Sequence, residues 1–338
     1  MLHSLSLCAR VTLNLHNLNS EGTEGNQQQT RMVHILDETN RKCVVNAVSG
    51  DMFKHIFVEH LTPLLVEAKQ TVCANALVGH PDRILLDPSF QSATPRGTPP
   101  EEVLRQMITR CAVTDIAGAL HTDTATARKS VVEFGWVVGV PEHTRTEQYF
   151  HVKFDPSRAS GTGTETVAGS QAIFHRPASS GCYALVCHVE LDRIGVNDVS
   201  RQLIVDKHDK KERVAATLKA VAATLISPRG AQRNTQHPHI TGAEGVIAVS
   251  RNCFCAPTVS PLNREYRVEM KAIIEQLKNL SRISDESQDQ ANTSIADQSA
   301  QSKPKPEVLE LYEFESLSEA LRIFNTILED KGNGMVVA

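Results

Sequence analysis

A chain of 338 residues and 37.1 kDa, 41% hydrophobic but only 4% aromatic, carries enough aliphatic material for one large elaborated domain or two ordinary ones. It holds no run of about 18 apolar residues to cross a membrane. Its opening MLHSLSLCAR lacks the basic start and apolar centre of a signal peptide, and the eight scattered cysteines suit reduced thiols in a cytoplasm.

The net charge of −4 argues at first against nucleic acid, but it is unevenly placed. Residues 281–330 hold 11 acidic and 4 basic side chains, a balance of −7, which leaves +3 on the remainder and room for a local basic groove.

Along the chain, Leu5, Leu7, Ala9, Val11, Leu13 and Leu15 alternate with Ser6, Cys8, Arg10, Thr12, Asn14 and His16. Period-two alternation predicts a strand with one face on a core and one toward something polar. Residues 16–26, rich in Gly and Asn, read as a polar loop. Residues 43–48 read as a short strand leading into a helix over 51–68, with Met52, Phe53, Ile56, Phe57, Leu61, Leu64 and Leu65 on its buried face. Ser49 is placed to cap that helix and Asp51 to meet its positive end, and Pro63 predicts a kink. A bare helix start with Lys54 in its first turn is a seat for a phosphate.

Residues 71–143 are broken by Pro81, Pro88, Pro95, Pro99 and Pro100 and read as an inserted finger or helical region, with a short helix after Pro99 and a strand over 131–140. Two strand-like stretches, 147–155 and 171–177, flank a Gly/Thr/Ser-rich segment over 157–170, the pattern of a protruding hairpin. Strands are expected at 182–191 and 246–249. Helices are expected at 210–226, with Lys211, Arg213 and Lys219 toward solvent, and at 263–280. Residues 281–306 have the composition of a disordered linker, and 307–330 of an amphipathic helix. Without the insertion the order is strand, helix, strand, strand, helix, strand, the split βαβ or ferredoxin-like arrangement of an α+β fold.

Little catalytic chemistry is visible. There is no phosphate-binding G-x-x-x-x-G-K-[ST] loop and no G-x-G-x-x-G after a strand. His237, His239, Cys253 and Cys255 lack zinc-type spacing, so no metal or other cofactor is expected. His16, His55, His60 and His239 stand where a general acid would, but with 14 histidines such placements arise by chance. Backbone contact with nucleic acid is better supported: Arg10 and His16 on the polar strand face, Asn17 and Asn19 in the loop, Arg31 beyond it, Ser49 and Lys54 at the helix start, and Arg229 and Arg233 in the loop after the second long helix. Cations, amides and open N–H groups hold phosphates and sugars without reading sequence. An ordinary mixed-charge surface has the same composition.

The stretches SLSLCARVTLNLHNLNSEGTEGN, VNAVSGDMFKHIFVEHL, CAVTDIAGAL, RKSVVEFGWVV and LISPRGAQRNTQHPH resemble the DevR-type CRISPR-associated autoregulator family, the Cas-seven group, over residues 5 to about 249. That resemblance implies the backbone subunit of type I surveillance complexes (Cascade). It implies an RRM-like palm (1–70 and 144–280) and a β-hairpin thumb near 149–176, with Phe150, Phe154 and Phe174 as base wedges. It maps backbone-binding positions onto Ser49, Lys54, Arg229, Gly230 and Arg233. Its implied partners are CRISPR RNA, the target DNA strand paired to it, further copies of the chain, and the Cas-five, large and small subunits. A non-enzymatic role follows, since no cleaving aspartate motif carries over. The alternatives are a CRISPR RNA-processing endoribonuclease of the same superfamily, using a histidine, and a transcriptional autoregulator, for which no helix-turn-helix spacing is found.

Overall fold

The computed structural model describes residues 2–154, 171–292 and 308–330. In chain order it contains β1 (Ser4–His16), β2 (Ser20–Glu24), β3 (Gln27–Thr30), β4 (Met32–Leu36), β5 (Lys42–Val48) and α1 (Gly50–Glu67). Then come α2 (Ala74–Leu77), α3 (Pro88–Ala93), α4 (Pro100–Arg110), α5 (Ala112–Ala117), β6 (Ala119–His121), β7 (Thr126–Arg128), β8 (Val132–Phe134), β9 (Val137–Phe154) and β10 (Gln171–Glu190). The chain continues with α6 (Lys207–Ile226), β11 (His239–Ser250), α7 (Tyr266–Asn292), β12 (Leu309–Phe314) and α8 (Leu317–Glu329).

A large sheet runs in the order β12-β11-β1-β10-β9-β5-β4. β1 pairs antiparallel with both β10 and β11, and β9 with β10. The apolar set read from the sequence, Leu5 through Leu13, faces α1 and α6 and joins Phe53, Phe57, Leu61, Leu218, Val221 and Leu225 in one core. Burial of such side chains at roughly 1.5–3 kcal/mol each is the main stabilising term. α1 runs unbroken through Pro63 and does not restart there.

The other face of β1 is not the polar, open face that alternation suggests. Ser4, Ser6 and Cys8 are fully buried. Ser6 Oγ donates to the Pro257 carbonyl, Ser4 Oγ accepts from Ala256 N at 2.8 Å, and Cys8 packs with Tyr266, Met270 and Ile274 of α7. Small polar side chains satisfied by a covering segment leave the same sequence pattern as side chains facing water.

Three further stretches depart from expectation. The stretch read as a polar loop over 16–26 holds β2 and the turn of the β2–β3 hairpin, whose Ser/Gln/Thr-rich strands carry little apolar periodicity, and the strand expected at 43–48 pairs with β4 in a second hairpin. The helix expected over 263–280 starts at Tyr266 and continues to Asn292, into the stretch read as disordered linker. The helix expected over 307–330 is instead strand β12, added to the β11 edge, followed by α8. Leu309 and Phe314 are buried there, while Ala320, Ile323, Phe324 and Ile327 form the covered face of α8. Alternation over only six residues is too short to separate from a helical stripe.

Residues 71–131 fold onto the same core through Cys73, Ile84, Phe90, Val103, Leu104, Met107 and Ile108. A buried charge cluster ties this region to α6. Asp115 accepts from Arg128 at 2.7 Å, from Arg213 at 2.9 Å and from Gly195 N at 2.9 Å. Arg128 also donates to the carbonyls of Arg193 and Val196 and to Asp198, and Arg213 donates to Gln70 and to the Ile108 carbonyl. Arg213, read as solvent-facing, is therefore interior, with every hydrogen bond made within the protein.

β9 and β10 together form a long ribbon whose pairing register shifts between Gly181 and Tyr183. At that shift Gly181 has φ +153°, and a Cβ there would stand 2.2 Å from the His143 carbonyl, so only glycine fits. No helix among the described residues is long and apolar enough to cross a membrane.

Candidate nucleic-acid interface

α1 and the segment after α6 face one another across an open cleft of about 480 Å³. Met52, His55 and Glu59, three and four residues apart and so on one helix face, line one side, and residues 229–234 line the other. The loop is held from behind. His60 Nε2 lies 2.8 Å from the Ser227 carbonyl, and Ala231 N donates to the Leu18 carbonyl at 3.1 Å. A Cβ on Gly230 would sit 2.7 Å from that same carbonyl oxygen, so the loop reaches Leu18 only with glycine at this position. Arg233 is exposed and, among the described residues, makes no hydrogen bond or ion pair; Arg229 Nε is buried without a partner. The cleft is thus positive on its loop side. Burial depresses the His60 pKa, the Ser227 hydrogen bond opposes this, and the nearby Arg229 and Arg233 charges depress it further. On the helix side His55 Nε2 lies 3.3 Å from a Glu59 carboxylate oxygen.

Of the positions singled out from sequence, Arg229, Gly230 and Arg233 come together here, and Lys54 does not. Lys54 lies on a different side of α1, among Asp51, Arg83 and Glu133, and burial lowers its pKa, with the Arg83 charge acting the same way. Nor is the helix start bare. Ser49 is buried, its Oγ accepts from Met52 N at 3.2 Å, and Gly50 lies under the Phe134 carbonyl. Asn19 is a fastener, its amide oxygen accepting from Ser49 N at 3.0 Å. Arg31 pairs with Glu21 and stacks over the Trp136 ring at 5.0 Å. Arg10 is on the opposite sheet face, donating to the Pro261 carbonyl at 2.8 Å and lying over Tyr266. Of the cleft-lining His55 and Glu59, His55 was singled out from sequence as a candidate general acid, whereas Glu59 was not singled out, although its spacing from His55 was the available signal.

His16 and Asn17 are each 1% exposed. His16 Nδ1 accepts from Leu18 N, its ring meets Tyr183 edge-on, and its Nε2 has no protein partner; neither amide atom of Asn17 has one. Burial pushes the His16 pKa down to about 4. In the unfolded chain the imidazole titrates near 6.5, so between those values the unfolded state binds the extra proton. The stability this provides is complete above pH 6.5 and is lost as pH falls toward 4, by up to roughly 3 kcal/mol. A melting-temperature series from pH 7.5 to 4.5 should therefore fall more steeply for the natural chain than for His16→Gln. Parallel curves would contradict this.

A family model described as CRISPR-associated negative auto-regulator DevR/Csa2 matches residues 7–271. The chain belongs to this family. Two solved structures also resemble it, each with 15% sequence identity. One, titled "CRISPR RNA-guided surveillance complex, pre-nicking", has a TM-score of 0.44 and covers 82% of this chain and 88% of that one. The other, titled "CRISPR RNA-guided surveillance complex", has a TM-score of 0.43 and covers 82% and 84%. No curated protein matches the chain.

The DevR/Csa2 match takes in the whole cleft and the β9–β10 ribbon, and stops before β12 and α8. On the ribbon, the three phenylalanines do not form one wedge. Phe150 opposes His175 and is 58% exposed, on the same face as the exposed Val152 and Ile173. Phe174 opposes His151 on the other face, stacked on its ring at 5.5 Å and lying under Arg176. Phe154 is the last residue of β9, opposite Gln171; residues 157–170 of the expected hairpin tip lie outside the described residues. Among the described residues no three His, Cys, Asp or Glu side chains cluster to hold a metal.

Proposed function

We propose that this DevR/Csa2 family member is a CRISPR RNA-binding backbone subunit of a surveillance complex. Several copies line up along one guide RNA and grip its sugar–phosphate chain without base preference, for guide-directed DNA recognition in antiviral defence. The observation that carries this reading is the arginine-bearing cleft between α1 and residues 229–234, which presents Arg233 unpaired and is built on a backbone that requires Gly230. Cations of this kind hold phosphates and leave sequence choice to base pairing. The order β11-β1-β10-β9 with α1 and α6 on one face supports an RRM-like palm. Residues 71–143 are its inserted region, and the outer part of the β9–β10 ribbon, near 149–176, is its thumb. Head-to-tail contacts of this type build an open filament. Other copies of the chain, the paired target strand and the remaining Cascade subunits are the partners, in the cytoplasm, and the subunit itself breaks no bond.

The exposed apolar face of the thumb, Phe150 with Val152 and Ile173, is the part that meets a base step or a neighbouring copy. Replacing Phe150 and Ile173 by serine removes no buried contact, so the monomer's melting temperature should change by no more than about 2 °C. Ordered filaments on RNA, seen by negative-stain electron microscopy, should shorten or disappear. Unchanged filaments would reject the thumb assignment.

One observation favours a second reading. The His55–Glu59 pair in the cleft sets an imidazole 3.3 Å from a carboxylate oxygen, the pair of groups from which an RNA-cutting enzyme could build a general base. Incubation with repeat RNA decides between the two: the scaffold leaves the RNA intact, whereas the nuclease yields fragments that His55→Ala abolishes.

A further inference from the structure

Cys73 and Cys111 sit at the neck of the excursion formed by residues 74–110. The two strands of the neck are pinned side by side, Ala112 N donating to the Thr71 carbonyl at 2.8 Å. Cys73 is the residue before α2 and Cys111 the residue before α5. Both side chains turn inward and are buried, 6% and 0% exposed. Their sulfurs are 3.1 Å apart, with the Cys73 thiol donating to Cys111 Sγ and Cys73 N reaching the same sulfur at 3.5 Å. Disulfide sulfurs lie about 2.05 Å apart, so closure asks each sulfur to move by roughly half an ångström. The remaining six cysteines are dispersed over β1, β5, β10 and the segment after β11.

We propose that Cys73 and Cys111 are a redox modification site: a buried dithiol that a peroxide oxidises to an intramolecular disulfide, stapling the neck of the 74–110 excursion, and that thiols reduce again.

The two sulfurs have different surroundings. The hydrogen bond from Cys73 holds the Cys111 thiol below its ordinary range against its burial, with Thr114 assisting, whereas the same bond and burial push Cys73 upward. The charged neighbours of the pair are Arg83, whose guanidinium favours a thiolate, and Asp87, which acts against ionisation of Cys73. Because the Cys73 thiol and Cys73 N both donate to Cys111 Sγ, the geometry makes Cys111 the attacking sulfur and Cys73 the resolving one. The Cys111 thiolate attacks one oxygen of hydrogen peroxide; an S–O bond forms, the O–O bond breaks, and hydroxide leaves. The Cys73 sulfur then attacks Cys111 Sγ, forming the S–S bond, breaking S–O and releasing water with the Cys73 proton. Two thiols and one peroxide give one disulfide and two waters, and a dithiol reductant reverses the sulfur chemistry. Burial from solvent admits a small peroxide more readily than a bulky disulfide reagent.

The test treats the full-length natural protein with a modest excess of hydrogen peroxide, blocks remaining thiols, and maps non-reduced peptides by mass spectrometry. The expected product is a cross-linked pair of peptides containing Cys73 and Cys111, lighter by two hydrogens and separated by dithiothreitol. The oxidised protein should melt roughly 5 °C higher, because the cross-link closes a loop of about forty residues in the unfolded chain. In Cys73→Ala a dimedone-trapped sulfenic acid on Cys111 should replace the cross-link. If that variant does not fold, the map of the natural chain decides alone. Cys73 and Cys111 recovered as free thiols while the exposed Cys253 is oxidised, or Cys111 over-oxidised without cross-linking, would overturn the proposal.

Discussion

Replacing Arg229 and Arg233 together by glutamine is expected to weaken RNA binding roughly tenfold or more at physiological salt, equally for unrelated sequences. Glutamine retains part of each stem and its polarity, so the loop keeps its seat on Leu18 while losing two positive charges. Each lost phosphate contact on a single strand should also flatten the dependence of log K on log salt by about 0.7. The same pair of measurements on Lys54→Gln should show a smaller effect, because Lys54 faces Asp51 and Glu133 and not the cleft. A loss that varied strongly with RNA sequence would mean that these arginines read bases. No loss at all would place the RNA elsewhere on the molecule.

Asp115→Asn should produce the largest stability change. Asp115 and Arg128 are fully buried side chains, Arg213 is nearly so, and the carboxylate bridges both guanidinium groups. Neutralising it leaves two buried cations with one charge too few between them, which costs about 3–5 kcal/mol. That corresponds to a fall in melting temperature of roughly 10 °C. Asp198→Asn, at the 20%-exposed edge of the same cluster, should cost less because water reaches the site. The check is a denaturant or thermal unfolding series on both variants; equal and small shifts would show that the cluster is dispensable. Since Arg213 comes from α6 and Asp115 from α5, the cluster also fixes the inserted region against the layer that carries the cleft.

The parts of the fold legible in the sequence were those with long, uninterrupted periodicity: β1, α1 and α6, each with an apolar set that enters one core. What stayed hidden was decided by partners distant in sequence. Arg213 falls among solvent-facing cations by spacing, yet Asp115, Gln70 and the Ile108 carbonyl receive it in the interior. Ser6 looked like part of an open polar face, and it is the segment before α7 that covers it and the neighbouring Ser4. β12 was hidden because six residues carry too little periodicity and because the β11 edge that recruits it lies elsewhere in the chain. At the candidate site, Arg229 and Arg233 stood out as loop cations and Gly230 entered through the family resemblance; the structure brings the three to one cleft. Glu59 was missed, and His55 stood out only as one histidine among several, because only the docking of the loop onto α1 turns that helix face into a cleft wall.

The account depends most on whether the chain holds RNA through its backbone. The direct measurement is titration of the purified protein against several RNAs of unrelated sequence over a range of salt, with the RNA recovered afterwards on a denaturing gel. The account predicts similar affinities for all sequences, a negative salt slope and full-length RNA at the end. Indifference to RNA at low salt, or histidine-dependent fragments on the gel, would contradict it.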